Sequence, residues 1–77
     1  MKIMFFGITK ELAGGASREV TEKFATVGDL RAWLSLQYPS MLNLKKVMIA
    51  VNKAYANDEQ PLAESDEVAV IPPLSGG

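Results

Sequence analysis

One amphipathic helix is the feature of this sequence that most restricts its fold. Thr26 and Asp29 stand three residues apart, as in a capping box, and mark the start of this helix. Four apolar residues at helical spacing form its stripe: Val27, Leu30, Trp33 and Leu34. Pro39 ends the helix at about Tyr38, after about a dozen residues. We expect the stripe, Trp33 included, to lie in the core.

Five other segments have the patterns of strands: 3–8, 17–24, 47–52, 53–56 and 68–71. The first is apolar at nearly every position, which predicts a central strand covered on both faces. The second follows a turn at Gly14–Gly15 and alternates apolar with polar residues, which predicts a hairpin partner. Segments 47–52 and 68–71 are rich in β-branched residues, which favours strands. Segment 53–56 is predicted to be a short strand or a bend. Residues 40–46 are predicted to be irregular, with at most one short turn.

A single helix covers a sheet on one face only. If the first and last strands are neighbours in the middle of the sheet, they run parallel, because the helix-containing segment joins them. This layout is the ubiquitin-like β-grasp, an α+β fold with a mixed sheet and one main helix, and we expect residues 1–77 to form one such domain. Strand parity puts Ile3 and Phe5 on one face, and Met4, Phe6 and Ile8 on the other. On the uncovered face, we expect Phe6 and Ile71 to form an apolar patch of the kind that contacts proteins.

The last seven residues, Ile71 to Gly77, read Ile-Pro-Pro-Leu-Ser-Gly-Gly. The two prolines exclude a helix and favour an extended path, and the side chains then become smaller until Gly76 and Gly77 have none. We expect residues 72–77 to project as a thin tail that reaches on the order of 20 Å and presents the carboxylate of Gly77. A frayed terminus without function is the alternative interpretation.

Composition excludes several classes of function. Eight basic and nine acidic residues among 77 give a net charge of -1, which offers no field for nucleic acid or an anionic membrane. The sequence has no cysteine and no histidine, so it lacks a thiol nucleophile and the commonest general base and metal ligand. We therefore expect no metal, no bound cofactor and no catalysis by this chain alone. The apolar run at the start is too short for a signal peptide or a membrane span, which predicts a cytoplasmic protein.

Several segments resemble the small subunits of molybdopterin synthase, which are sulfur carriers of the β-grasp superfamily. The resemblance extends over nearly the whole chain and is carried by residues 2–6, 10–12, 26–27, 29–30, 50–52, 61–62, 66–69, 72–73 and 76–77. A terminal Gly-Gly alone is a weak signal, since ubiquitin-like modifiers also end in it. The combination of these segments with the terminal Gly-Gly is a strong signal for the family. This chain has Ile71 where an aromatic residue is common before the two prolines.

The resemblance implies a chemical role for the end of the chain. In this family an adenylating, E1-like activating enzyme uses ATP to convert the terminal glycine carboxylate, here that of Gly77, into an acyl-adenylate. Sulfur from a persulfide then replaces the adenylate and gives a thiocarboxylate. The tail enters the large subunit of molybdopterin synthase, where the thiocarboxylate attacks cyclic pyranopterin monophosphate during molybdenum cofactor biosynthesis. The family also suggests an assembly of two carriers and two large subunits.

The same resemblance implies roles for the residues before the end. Gly76 would let the backbone pass through a narrow tunnel, Ser75 is small enough to follow, and Leu74 would be an apolar anchor at the entrance. A second group would contact the partner at the root of the tail: Phe6, Ile71, Pro72 and Pro73.

Three alternatives use the same fold differently. A carrier for thiazole synthesis would load the same terminus with sulfur and deliver it to another acceptor. A ubiquitin-like protein modifier would join Gly77 to a lysine through an isopeptide bond. In an interaction module without catalytic function, the tail would have no chemical role.

Overall fold

The computed structural model describes residues 1–43 and 47–73. Its elements in chain order are β1 (Lys2–Phe5), α1 (Ile8–Ala13), β2 (Ser17–Glu19), α2 (Val27–Gln37), a 3₁₀ helix (Pro39–Asn43), β3 (Met48–Val51), β4 (Ala54–Tyr55) and β5 (Val68–Ile71). The strands form one mixed sheet in the order β2-β1-β5-β3-β4.

The first and last strands lie side by side in the middle of this sheet and run parallel, as the sequence predicted. Ile3 is opposite Val68, and Phe5 is opposite Val70. The other neighbouring strands are antiparallel. Together with α2 on one face, this arrangement confirms the α+β, ubiquitin-like β-grasp fold.

The core lies between α2 and one face of the sheet. Strands β1, β3 and β5 alternate, so that every second side chain points towards the helix. These sheet residues are buried: Ile3, Phe5, Ile49, Val51, Val68 and Val70. Helix α2 contributes Val27, Leu30 and Leu34. Each fully buried side chain of this size stabilises the fold by about 1.5–3 kcal/mol through removal of apolar surface from water.

Helix α2 begins and ends as the sequence predicted. The Thr26 hydroxyl accepts a hydrogen bond from the Asp29 backbone N–H at 3.3 Å, and the Tyr38 N–H closes the last turn onto Leu34. The prediction that Trp33 is a core residue was correct only in part. Its ring packs against the core beside Phe24 but stays partly exposed, because it lies at the edge of the helix–sheet interface.

The segment after β1 differs from the prediction. Residues 3–8 do not form one strand, since β1 ends at Phe5 and Gly7 turns the chain with a φ of 58°. Ile8 was assigned to the face of Met4 and Phe6, but it begins the short helix α1 instead. This helix was not predicted. It ends at Ala13, and its C-cap is Gly14, whose φ of 80° places the expected Gly14–Gly15 turn at the end of this helix.

Strand β2 is shorter than the predicted 17–24. Backbone hydrogen bonds to β1 continue one position beyond the Lys2–Glu19 pair, since the Val20 N–H donates to the Met1 carbonyl at 2.8 Å and the Met1 amino group donates to the Val20 carbonyl at 3.0 Å. Val20 and Phe24 both pack on the core, so after Val20 the alternation in this segment reflects burial without strand pairing. The region predicted to be irregular contains the 3₁₀ helix, and residues 44–46 of it lie outside the described part of the chain.

Candidate functional site

The sheet face opposite α2 carries a groove of about 380 Å³. Its lining residues come from β1, β3, β4, β5 and their ends: Met4, Phe6, Ala50, Lys53, Tyr55, Glu67, Ala69 and Ile71. Strand register explains the arrangement, since Met4 is opposite Ala69, Ala69 is opposite Ala50, and Ala50 is opposite Tyr55. We call this surface the sheet groove.

Small residues in the centre and large residues at the sides make this surface concave. Ala50 and Ala69 form the floor, because a methyl side chain barely rises above the sheet. Phe6 and Tyr55 stand at the two sides with 44% and 64% of their surface exposed. Exposed apolar side chains grouped in this way are typical of a protein contact surface.

The two ends of the sheet groove differ in polarity. Lys53 and Glu67 lie at the end where β5 begins, whereas Phe6 and Ile71 lie at the end where β5 leads into the tail. Lys53 is held there by a two-residue turn in which Asn52 and Lys53 both have positive φ, of 52° and 71°. A left-handed conformation costs a lysine roughly 1 kcal/mol.

Hydrogen bonds from Asn52 fix the charged end of the groove. Its amide group donates to the Asp66 carboxylate at 2.9 Å, and its carbonyl oxygen accepts from the Glu67 N–H at 2.9 Å. The Ala63 N–H also donates to Asp66, at 2.8 Å. These donors, Ala63 first and Asn52 second, lower the pKa of Asp66 below its ordinary value of 3.8. The loop before β5 is therefore tied to the β3–β4 turn.

The root of the tail is held where β1 and β5 end together. The Phe6 N–H donates to the Val70 carbonyl at 3.1 Å, so the pairing of the two strands continues one residue past β1. The buried Thr9 hydroxyl contacts the same two residues. Gly7 lies against Pro72 so closely that an added Cβ would be 2.7 Å from the Pro72 Cγ. The first residue of the predicted tail therefore packs on the turn that follows β1.

The structure brings the predicted contact residues Phe6 and Ile71 into one surface, with Met4 and Ala69 between them and the rest of the groove. Pro72 and Pro73 follow directly and are half-buried. Their binding of a partner stays a prediction. The remaining predicted site residues lie outside the described part of the chain: Leu74, Ser75, Gly76 and Gly77.

Four residues of this region were not singled out from the sequence: Gly7, Thr9, Lys53 and Tyr55. Gly7 interrupts an apolar run, which is a signal for a turn. No comparable pattern marks Thr9, because its burial depends on contacts with β5, far away in the sequence.

In residues 1–43 and 47–73, no helix has the length and apolar composition needed to cross a membrane. Over the same ranges, no three His, Cys, Asp or Glu side chains are grouped so that they could hold a metal ion.

A model of the ThiS family matches residues 3–77, from β1 through the predicted tail. This chain belongs to the ThiS family. The match includes the sheet groove, the root of the tail and the final Gly-Gly, so all parts of the candidate site lie within the matched range.

Two curated relatives of this ThiS-family chain carry the name molybdopterin synthase sulfur carrier subunit. The relative from Caenorhabditis briggsae is 42% identical, and the alignment covers 100% of this chain and 96% of the relative. The relative from Escherichia coli (strain K12) is 36% identical, with 100% and 99% covered. The similarity therefore extends over all of the given sequence and nearly the full length of both relatives.

Structures of similar fold include two with different assigned roles. SAMP1, a small archaeal modifier protein from Haloferax volcanii, has a TM-score of 0.80 at 27% identity, with 99% of this chain and 97% of that chain covered. A subunit in the complex of subunits 1 and 2 of the molybdopterin-converting factor from Helicobacter pylori has a TM-score of 0.68 at 26% identity, with 99% and 96% covered.

Proposed function

We propose that this chain is the sulfur carrier subunit of a molybdopterin synthase. The full-length similarity to relatives of that name carries the proposal, with 36% and 42% identity in two of them. The geometry supports it, because an apolar groove lies on the sheet face beside the root of the tail. A carrier needs such an arrangement, with a surface that docks and an end that enters the partner.

The proposed chemistry takes place at the Gly77 carboxylate. A carboxylate is a poor electrophile, so its oxygen first attacks the α-phosphate of ATP, which releases pyrophosphate and forms an acyl-adenylate. The terminal sulfur of a persulfide displaces AMP, and a thiol then cleaves the S–S bond and leaves a thiocarboxylate. The thiocarboxylate is ionised at neutral pH and attacks cyclic pyranopterin monophosphate in the large subunit. Two loaded carriers supply the two dithiolene sulfurs of molybdopterin.

This mechanism places the acid–base groups on the partners. The sequence has no histidine and no cysteine, so its nucleophile is the sulfur added to Gly77. We propose that the chain itself binds no cofactor and that ATP is bound by the activating enzyme. Gly76 and Ser75 would pass through the narrow part of the partner's channel, with Leu74 at its entrance. A Cβ at Gly76 would obstruct this path.

The proposed partners are the large subunit of molybdopterin synthase and an adenylating, E1-like activating enzyme, in the cytoplasm. The Helicobacter pylori complex of subunits 1 and 2 supports the first. Phe6 and Ile71 would contact the large subunit at the apolar end of the sheet groove, with Pro72 and Pro73 directing the tail into it. The net charge of -1 supports neither nucleic acid nor an anionic membrane as a partner.

Two variants of the tail test this function. In Gly76→Val, and in a variant that lacks Gly77, we expect sulfur transfer to molybdopterin to be abolished. The circular dichroism spectrum and the melting temperature should stay near those of the unmodified protein, since neither residue belongs to the core. Leu36→Ala, on the exposed side of α2, is the control and should transfer sulfur normally. Normal transfer by Gly76→Val, or unfolding of either tail variant, would contradict the proposal.

A protein modifier is the second candidate, because the fold also matches that of SAMP1 at a TM-score of 0.80. Mass spectrometry after incubation with ATP, the activating enzyme and a sulfur source separates the candidates. Replacement of one oxygen by sulfur indicates a carrier, conjugates on lysine indicate a modifier, and an unchanged mass indicates an interaction module. A carrier for thiazole synthesis would also gain sulfur, but would not deliver it to the pterin precursor with the large subunit present.

A further inference from the structure

Thr9 is the fully buried polar residue among the side chains that the structure describes, with 0% exposure. Its hydroxyl accepts a hydrogen bond from the Phe6 N–H at 3.1 Å. The same hydroxyl lies within donor distance of two carbonyl oxygens, those of Phe6 and, at 3.2 Å, Val70. All of these groups belong to the ends of β1 and β5, directly before the tail.

The hydrogen bonds of the Thr9 hydroxyl add to backbone hydrogen bonds that already satisfy the same groups. The Phe6 N–H donates to the Val70 carbonyl at 3.1 Å, and the Thr9 N–H donates to the Phe6 carbonyl at 3.2 Å. Removal of the hydroxyl therefore leaves no backbone group without a partner, so satisfying buried polar groups does not explain its presence. What the hydroxyl adds is a hydrogen bond from α1 to the Val70 carbonyl, beside the backbone bond that Phe6 makes to the same carbonyl.

Gly7 restrains the tail from the other side. Its φ of 58° and ψ of -138° turn the chain into α1, and a Cβ at this position would lie 2.7 Å from the Pro72 Cγ. Pro72 follows β5 by one residue and has a fixed φ. Val70 is thus held by Thr9 and Pro72 rests against Gly7. Together they set the direction in which the chain leaves the sheet.

We propose that Thr9 is a positioning residue that orients the root of the tail for entry into the activating enzyme. The inference rests on the proposed carrier function. The four residues after Pro73 span at most about 14 Å, so a rotation of about 10° at the root would move the end by roughly 2.5 Å. A root that is already ordered loses less conformational freedom on docking, which favours binding. Once the tail is bound, the enzyme's own contacts hold it.

The test compares Thr9→Val, which keeps the shape but loses the hydroxyl, with Thr9→Ser, which keeps the hydroxyl. The assay is ATP–pyrophosphate exchange by the activating enzyme at increasing concentrations of carrier, well below the melting temperature of each variant. We expect Thr9→Val to raise the KM for the carrier about fivefold, the factor for a typical net hydrogen bond, with kcat unchanged. Thr9→Ser should have the KM of the unmodified protein.

A local readout accompanies the kinetics. In native-state hydrogen exchange, Thr9→Val should speed the exchange of the Phe6 amide more than that of the Ile49 amide in the core, whereas a loss of global stability would affect both. If Thr9→Val does not fold, Gly7→Ala takes its place in the assay. The Cβ of this alanine would displace Pro72, and the change should also raise the KM for the carrier.

The possible results separate the inference from the function beneath it. An unchanged KM in Thr9→Val, or an equal rise in Thr9→Ser, overturns the positioning role while the carrier function stands. In the Gly7→Ala alternative, an unchanged KM has the same meaning. If the unmodified protein supports no exchange with the activating enzyme, the proposed function is overturned and the inference with it.

Discussion

Replacement of Phe6 by alanine tests the sheet groove as the docking surface. Phe6 is 44% exposed in the free chain, and this exposed part would be covered by the large subunit. A phenylalanine side chain buries about 150–250 Å², so the exposed part amounts to roughly 90 Å². At about 25 cal/mol per Å², its loss weakens binding by about 2 kcal/mol, which is about 30-fold in Kd.

Isothermal titration calorimetry with the purified large subunit measures this effect. Leu36→Ala is the matched control, because Leu36 is an exposed apolar residue, 80% accessible, on α2 at the other face of the sheet. We expect the control to bind within twofold of the unmodified protein. Phe6→Leu keeps an apolar side chain and should fall between the two. Circular dichroism should show the same fold in all variants.

Two results would refute the sheet groove as the docking surface. One is a Kd for Phe6→Ala within twofold of that of the unmodified protein. The other is an equal loss in Leu36→Ala, since that would show a general response to removal of apolar surface. Either result would move the docking surface away from the apolar end of the groove.

Two further predictions concern stability and ionisation. Leu30→Ala removes a fully buried side chain of α2 and should destabilise the fold by about 2–5 kcal/mol. In calorimetry, the melting temperature should fall by about 10 °C or more. A shift of only a few degrees would contradict the assignment of Leu30 to the core. Asn52→Ala should raise the pKa of Asp66 towards 3.8 in a carboxyl NMR titration, although the Ala63 N–H still holds it below that value. Because folding lowers this pKa, ionised Asp66 stabilises the fold above about pH 4, and the contribution is lost as the pH falls through the folded pKa. An unchanged pKa of Asp66 in Asn52→Ala would show that the Asn52 amide does not stabilise the Asp66 carboxylate.

Much of the fold was accessible from the sequence because its main elements have strong local signals. The cap at Thr26, the apolar stripe and Pro39 define α2 within the chain itself. With one helix between them in the chain, the first and last strands could be neighbours that run parallel, as β1 and β5 do. Helix α1 was missed because six residues are too few to show helical periodicity and no side chain caps its start. The apolar Ile8 instead extended the strand pattern.

The site was predictable where strand parity decides exposure. Met4, Phe6 and Ile71 lie in one groove because alternation places them on the face opposite the helix. Contacts between distant segments were not predictable in this way. Thr9 contacts Val70, 61 residues further along the chain. Gly7 contacts Pro72 because the parallel strands β1 and β5 end side by side. A hydroxyl in a six-residue helix gives no sign of these partners.

The most direct measurement follows the mass of the C-terminal peptide through one cycle of loading and delivery. The purified chain is incubated with ATP, the activating enzyme and a sulfur donor, and then with the large subunit and cyclic pyranopterin monophosphate. We expect the peptide ending at Gly77 to gain the mass difference between sulfur and oxygen in the first step. It should return to its original mass in the second step, and only when the large subunit is present. A peptide that never gains sulfur, or keeps it in the complete mixture, would contradict the central claim.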